Sequence, residues 1–153
     1  HRELDVRSRR QRQMCVRARN QYETLARIGE VAPAYCTGVG KAMLAFIGSK
    51  RLEIALKQQS YHAYTSNTHT SPEALYIELK EIQKSGLAFD REEHEKGIIS
   101  IASPICADNG SLIGALSIAT STNRHDINSL KEFTSLIEKT AQEISADAAA
   151  WHF

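Results

Sequence analysis

The sequence lacks the features that mark secreted, membrane-spanning or multidomain proteins. Its three cysteines, Cys15, Cys36 and Cys106, are odd in number and form no CxxC pair, which is typical of a reducing compartment and not of a disulfide scaffold. No run approaches the roughly 20 consecutive apolar residues that a membrane helix needs, and the prolines are too scattered to mark a linker. We therefore expect a cytoplasmic protein without a membrane partner, with its 153 residues folded as one domain around one core.

Charge is distributed unevenly along the chain. The net charge is +1, but residues 1–20 contain seven arginines against Glu3 and Asp5, which gives this segment +5 and leaves −4 for the remainder. Its centre, RSRRQRQ, has two interpretations. It is either an arm that binds nucleic acid or an anionic surface, or part of a β-hairpin, because LDVRS and MCVRAR on either side alternate with period 2. The alternation favours the hairpin.

Local patterns predict the order of the elements that follow. A strand is expected over residues 23–28, and apolar residues recur at helical spacing from Thr37 onward. Three more helices are predicted: residues 49–59 with Ser49 as N-cap, a helix that starts at Ser71 and ends at Gly86, and residues 126–148.

The stretch GIISIASPICADNGSLIGALSIATS reads as two strands joined by a turn at Asp108, Asn109 and Gly110. Alternation gives the pair one large apolar face. The other face is small and partly hydroxylic at its centre, with Ser100, Ala102, Ser117 and Ala119. Such a face either lets a helix approach closely or leaves a concave space for a small polar ligand, and the pattern leaves both outcomes open.

A glycine turn precedes the first helix in YCTGVGKAMLAF. Gly38 and Gly40 allow the backbone to approach a partner closely, and the free N–H groups at a helix start attract an anion. The segment is too short for a P-loop and lacks GxGxxG, so a nucleotide site is not expected. The alternative is that both glycines only allow the helix to pack tightly on the sheet.

Together these motifs resemble the effector-binding domain of the IclR-type bacterial transcriptional regulators. The resemblance rests on GVGKAMLA, GLAFDREEHEKG, IASPI, DNGSLIGALSI and a final helix, in that order from Ala26 onward. It implies an α/β (α+β) fold of the GAF/PAS-like kind, in which a curved antiparallel sheet is flanked by helices and a pocket lies between the sheet and its covering loops.

The resemblance also implies a site and a function. Gly38, Val39 and Gly40 would present backbone N–H groups to a small carboxylate effector such as a keto, sugar or aromatic acid. Further pocket positions would be Asp90, Ser100, Ser117 and Ala119; relatives can carry serine at the last position, so one hydrogen bond to the ligand is expected to be missing here. Residues 1–153 would form a homo-oligomeric effector-binding domain that starts within the family domain. DNA would be bound only through a winged helix-turn-helix domain that these residues do not include.

Two other functions remain as alternatives. A stand-alone GAF-like enzyme would use Cys36, whose thiol lies near a helix N-terminus, or His94 within DREEHEKG. No HExxH or GxSxG motif supports such chemistry, so we expect no catalytic residue, no metal site and no cofactor. A basic-arm nucleic-acid binder would use the arginines of the first segment, Arg7, Arg9, Arg10 and Arg12.

Overall fold

The computed structural model describes residues 10–12 and 31–150 of the chain. Strand β1 (Arg10–Arg12) pairs antiparallel with β2 (Val31–Pro33), and a 3-10 turn over Ala34–Cys36 follows. Part of RSRRQRQ is therefore a strand. The rest of the predicted N-terminal hairpin and the strand predicted at 23–28 lie outside the described residues.

The main sheet consists of three antiparallel strands in chain order. They are β3 (Ala88–Arg91), β4 (Ile98–Cys106) and β5 (Leu112–Ser121), with β4 in the centre. The predicted turn between β4 and β5 is confirmed, and Gly110 adopts a φ of 79° there, a conformation that favours glycine.

Three helices precede this sheet along the chain: α1 (Gly38–Phe46), α2 (Ser49–Gln58) and α3 (Pro72–Ser85). The limits of α3 are as predicted, because Ser71 Oγ accepts from the backbone N–H of Ala74 and Gly86 ends the helix at φ 74°. The predicted cap of α2 is wrong. Gly48, at φ 88°, reverses the chain after α1 and takes the N-cap position, which makes Ser49 the first helical residue.

The last predicted helix is divided in the structure. Asp126 caps the short helix α4 (Ile127–Leu130), a 3-10 turn follows over Lys131–Phe133, and α5 (Thr134–Ala150) completes the described chain. Leu130 and Ile137, on either side of the turn, are both buried in one cluster with Ile99 and Ile101 of β4. The break therefore leaves both helices packed on the large apolar face of the sheet.

The small face of the sheet packs against the other helices. Ala88 and Ala102 share a cluster of buried residues with Ala42 of α1 and with Leu75 and Leu79 of α3. Helices thus flank an antiparallel sheet on both sides, which confirms the predicted α/β (α+β) class. Within residues 31–150, no helix combines the length and the apolar character needed to cross a membrane.

Candidate functional site

Cross-strand pairing places the predicted site residues of the sheet side by side. Asp90 of β3 pairs with Ser100 of β4, and Ser100 pairs with Ala119 of β5. Ser117 pairs with Ala102, two residues along the same face. Asp90 and Ser100 are buried, Ser117 is half-buried and Ala119 is exposed. This row is therefore closed at β3 and open to solvent at β5.

The start of α1 lies directly over the row. A Cβ added to Gly38 would lie 2.5 Å from Ser100 Oγ, and one added to Gly40 would lie 2.3 Å from the carbonyl oxygen of Ala34. The second clash is with backbone and cannot be relieved by a side-chain rotation. Both glycines therefore permit close packing, and at Ser100 the small face does let a helix approach. Of the four site positions on the sheet, only Ala119 is exposed.

Not every amide of the glycine turn is available to a ligand. The N–H of Gly40 donates to Thr37 Oγ1 at 3.3 Å, the N-cap contact of α1. The N–H groups of Gly38 and Val39 precede the first hydrogen bond within the helix, where the helix dipole also adds positive charge. These two amides are suited to an anion, whereas Gly40 contributes by its lack of a side chain.

Burial changes the protonation of Asp90. Burial, supported by the charge of Glu93, raises the pKa of this carboxyl to about 7. The N–H of Glu93, which donates to Asp90 Oδ1 at 2.8 Å, acts in the opposite direction but does not outweigh them. Near neutral pH a large fraction of Asp90 therefore carries a proton. In that form the side chain donates a hydrogen bond, which an ionised carboxylate cannot do.

Next to Asp90 lies a buried ionic network centred on Lys41, which we call the Lys41 network. The Lys41 side chain is 0% exposed, and its ammonium lies 2.7 Å from Glu78 Oε1, 2.6 Å from Glu93 Oε1 and 2.6 Å from the carbonyl oxygen of Phe89. These contacts use all three ammonium hydrogens. The network joins α1, α3, β3 and the turn after β3. Glu78 also contacts His69, and its Oε1 lies 3.4 Å from the Arg91 guanidinium.

The two carboxylates of the Lys41 network respond differently to burial. Burial raises the pKa of both Glu78 and Glu93, but for Glu78 the hydrogen bond from His69 and the charge of Lys41 outweigh it and hold the pKa at about 2. Glu93 is more deeply buried and has no histidine partner, so the pKa of its carboxyl stays above the usual value despite Lys41. Glu78 is therefore the permanent negative charge of the network.

The loop between α2 and α3, residues 59–71, is attached to the turn after β3. Thr65 Oγ1 donates to the carbonyl of Glu92 at 2.6 Å, and Thr68 Oγ1 donates to that of Glu93 at 2.6 Å. Asn67 adds a hydrogen bond from its side-chain amide to the carbonyl of Arg91 at 2.9 Å. These bonds hold the backbone of the turn, and with it the Glu93 side chain, against Lys41.

Sequence reasoning missed the Lys41 network, although a signal was present. Lys41 interrupts the otherwise apolar run GVGKAMLAF, so a helix that buries this run must also bury a charge and needs acidic partners. Its partners are Glu78 in α3, which follows Lys41 by 37 residues, and Glu93 after β3, which follows it by 52 residues. No spacing rule connects them with Lys41.

The two side chains proposed for an enzyme do not have the required properties. Cys36 is 0% exposed, and burial, followed by the charges of Asp90 and Glu93, raises the pKa of its thiol. The reactive thiolate is thereby disfavoured. Burial lowers the pKa of His94, whose ring packs on that of Tyr64 at 4.8 Å between centroids. Among the described residues, neither side chain is paired with a nucleophile or base in the way catalysis requires.

A cavity of about 240 Å³ lies away from the predicted site. It is lined by residues of the turn after β3, of β4 and of the segment before α4, among them Arg91, Glu92, Ile99, His125 and Asp126. None of the seven predicted site residues lines it. The glycine turn and the Asp90–Ser100–Ala119 row are thus a candidate site that is separate from this cavity.

The C-terminal domain model of the bacterial transcriptional regulator IclR matches residues 13–146. The chain belongs to the IclR family of bacterial transcriptional regulators. The matched range contains every residue of the row, of the glycine turn and of the Lys41 network, and the resemblance seen in the sequence motifs is confirmed.

Relatives of this IclR-family chain include the HTH-type transcriptional regulator KdgR of Escherichia coli (strain K12), which is 35% identical over 121 residues, or 79% of this chain and 46% of that protein. Among solved structures, IclR of Thermotoga maritima has a TM-score of 0.80 at 32% identity, covering 86% of this chain and 53% of that one. The PobR inducer-binding domain from Acinetobacter, in complex with 3-hydroxybenzoic acid, has a TM-score of 0.73 at 27% identity, and the match covers 80% of this chain and 73% of that one. The chain thus spans about half the length of KdgR and of the Thermotoga protein.

The Lys41 network predicts a large difference between two lysine substitutions. Lys41→Met keeps an unbranched side chain but leaves Glu78 and Glu93 without their common cation, so the free energy of unfolding should fall by about 3–5 kcal/mol. Lys57→Met breaks an ion pair with Glu53 in which both side chains are exposed, and should lower the free energy of unfolding far less, because solvent screens that pair. Urea unfolding at neutral pH measures both values. Equal losses in the two variants would contradict the network.

Proposed function

We propose that this chain is the effector-binding domain of a DNA-binding regulator and that its effector is a small carboxylate, namely a keto, sugar or aromatic acid. The observation that carries the proposal is the position of the α1 start over the Asp90–Ser100–Ala119 row. The row would thus bring together three kinds of hydrogen-bond donor: the N-terminus of α1, the serine hydroxyls and the protonated carboxyl of Asp90.

The chemistry of these groups suits a carboxylate. The N–H groups of Gly38 and Val39 would donate to one carboxylate oxygen, assisted by the helix dipole. The hydroxyls of Ser100 and Ser117 and the protonated form of Asp90 supply further donors. Ala119 adds no hydroxyl, so the β5 side of the site should accept a less polar part of the ligand.

A relative supports the class of ligand. The PobR inducer-binding domain, 27% identical to this chain, was solved with 3-hydroxybenzoic acid, an aromatic carboxylic acid. A small acid is therefore compatible with this fold.

An effector can act only through unequal affinity for two arrangements of the regulator. We propose that residues 1–153 form the sensing domain and that DNA is bound by a domain outside these residues. Ligand at the α1 start would then shift the placement of the DNA-binding domains. The Lys41 network would transmit the shift, because it ties α1 to α3 and β3.

The effector class can be found by thermal unfolding with a panel of acids, for example pyruvate, gluconate and 3-hydroxybenzoate. A ligand at about 100 times its Kd should stabilise the fold by roughly 2.7 kcal/mol. Ser117→Val removes a hydroxyl from the site and should abolish the shift. Thr120→Val removes a hydroxyl from the opposite face of β5 and should leave it unchanged. The proposal is wrong if no acid stabilises the fold or if both variants respond alike.

Binding of a carboxylate should weaken as the pH rises through about 7, because Asp90 then loses the proton that it donates and repels the ligand. Kd should rise by up to about tenfold per pH unit above that value. Asp90→Asn keeps a donor and does not ionise, so its Kd should stay nearly constant. Calorimetric titrations from about pH 5.5 to about pH 8.5 test this, and parallel curves for both proteins would contradict it.

The free energy of unfolding of the ligand-free protein should also fall as the pH rises, relative to that of Asp90→Asn. The pKa of Asp90 is raised from 3.8 to about 7 on folding, so its contribution is fully present below about pH 4 and is lost as the pH rises through about 7. Glu93, Lys41 and Glu78 are the charged groups that act on Asp90. Because they are present in both proteins, the difference between wild type and Asp90→Asn isolates Asp90.

We also propose that the domain self-associates. Large apolar side chains are exposed on three helices: Ile54 on α2 by 53%, Ile77 on α3 by 68% and Leu136 on α5 by 56%. Sedimentation velocity at high protein concentration should show dimers or tetramers. A strictly monomeric species would exclude self-association through this domain.

A further inference from the structure

Three potential metal ligands meet at the edge of the Lys41 network. One ring nitrogen of His69, one carboxylate oxygen of Glu78 and one of Glu93 lie within 4.8 Å of one another. They come from the loop 59–71, from α3 and from the turn after β3. Ligand atoms around a tetrahedral zinc ion lie about 3.4 Å apart, so side-chain rotations of about 1 Å would bring all three onto one ion.

The second oxygen of Glu93 points to a missing partner. Glu93 is 3% exposed, and its Oε1 accepts from Lys41 Nζ at 2.6 Å and from the N–H of Arg91 at 3.3 Å. Glu93 Oε2 is buried and has no hydrogen-bond partner among the described residues. A buried carboxylate oxygen without a partner is costly, and a cation would remove that cost.

Lys41 does not take the place of such a cation. Its three donors are used by Glu78 Oε1, Glu93 Oε1 and the carbonyl of Phe89, which leaves Glu93 Oε2 without a hydrogen-bond donor among the described residues. His69 Nε2 contacts Glu78 Oε2, the oxygen that Lys41 does not use. Lys41 would therefore orient the two carboxylates through their Oε1 atoms, as hydrogen-bond partners outside the coordination shell orient the ligands of a metal.

We propose that His69, Glu78 and Glu93 bind one divalent transition-metal ion, for which Zn²⁺ is the best match. One imidazole and two carboxylates are three ligands of the kind Zn²⁺ takes, with a fourth position open to water. Mg²⁺ and Ca²⁺ prefer sets of oxygen ligands that are larger or retain several waters. The bound ion would join the loop 59–71 to α3 and to the turn after β3, beside Asp90.

The test uses the chain freed of metal by a chelator and then titrated with zinc chloride, without any effector. We expect one equivalent to bind and the unfolding temperature to rise. His69→Ala should raise the Kd by at least about 100-fold. This side chain is 25% exposed, so the variant should keep its fold, which far-ultraviolet circular dichroism checks. His62→Ala removes an exposed histidine from the same loop and should bind zinc like the wild type.

Two further measurements sharpen the assignment. His69→Cys replaces the imidazole with another zinc ligand, so it should retain binding that His69→Ala loses. Magnesium chloride at the same concentration should give no stabilisation. The proposal is overturned if the wild type takes up no zinc, if His69→Ala and the wild type bind it equally, or if Mg²⁺ is as effective. Because no acid is present, these outcomes do not depend on whether the chain binds a carboxylate effector.

Discussion

The rest of the structure depends on the burial of a single ammonium group. Lys41 is 0% exposed, and the cost of burying its ammonium is offset because Glu78, Glu93 and the carbonyl of Phe89 each lie within hydrogen-bond distance. This requirement fixes α1 relative to α3 and β3. Since Gly38 lies three residues before Lys41 on α1, the same constraint places the helix start over Ser100.

Burial sets the protonation of the site beside the network. It raises the pKa values of Glu93 and Asp90 despite the charge of Lys41, whereas Glu78, which His69 contacts as well, stays ionised. A carboxyl that retains its proton near neutral pH is thereby placed near a helix N-terminus. The protonated carboxyl of Asp90 and the backbone N–H groups at the start of α1 can both donate hydrogen bonds to an anion. An ionised aspartate cannot donate such a bond.

Local signals predicted the elements wherever the cause of the structure was local. The cap at Ser71 and the left-handed Gly86 bound α3 as expected, and the alternation in GIISIASPI sorted the residues of β4 onto the correct faces. Two boundaries differ from the prediction. Gly48, at a φ of 88°, holds the N-cap position of α2, and a 3-10 turn over Lys131–Phe133 divides the last helix between Leu130 and Ile137.

By itself the sequence determined the family, the order of most elements, and the face shared by Ser100, Ser117 and Ala119, because motif, alternation and capping act over a few residues; the position of Asp90 beside Ser100 came from strand pairing. Only the tertiary structure decided which groups from distant segments meet. Lys41 and Glu93 are 52 positions apart, and His69 and Glu78 lie on a loop and a helix whose approach depends on packing. Buried charges interact strongly because the surrounding dielectric is low, and the strength depends on their distance in space. A local sequence pattern does not determine that distance.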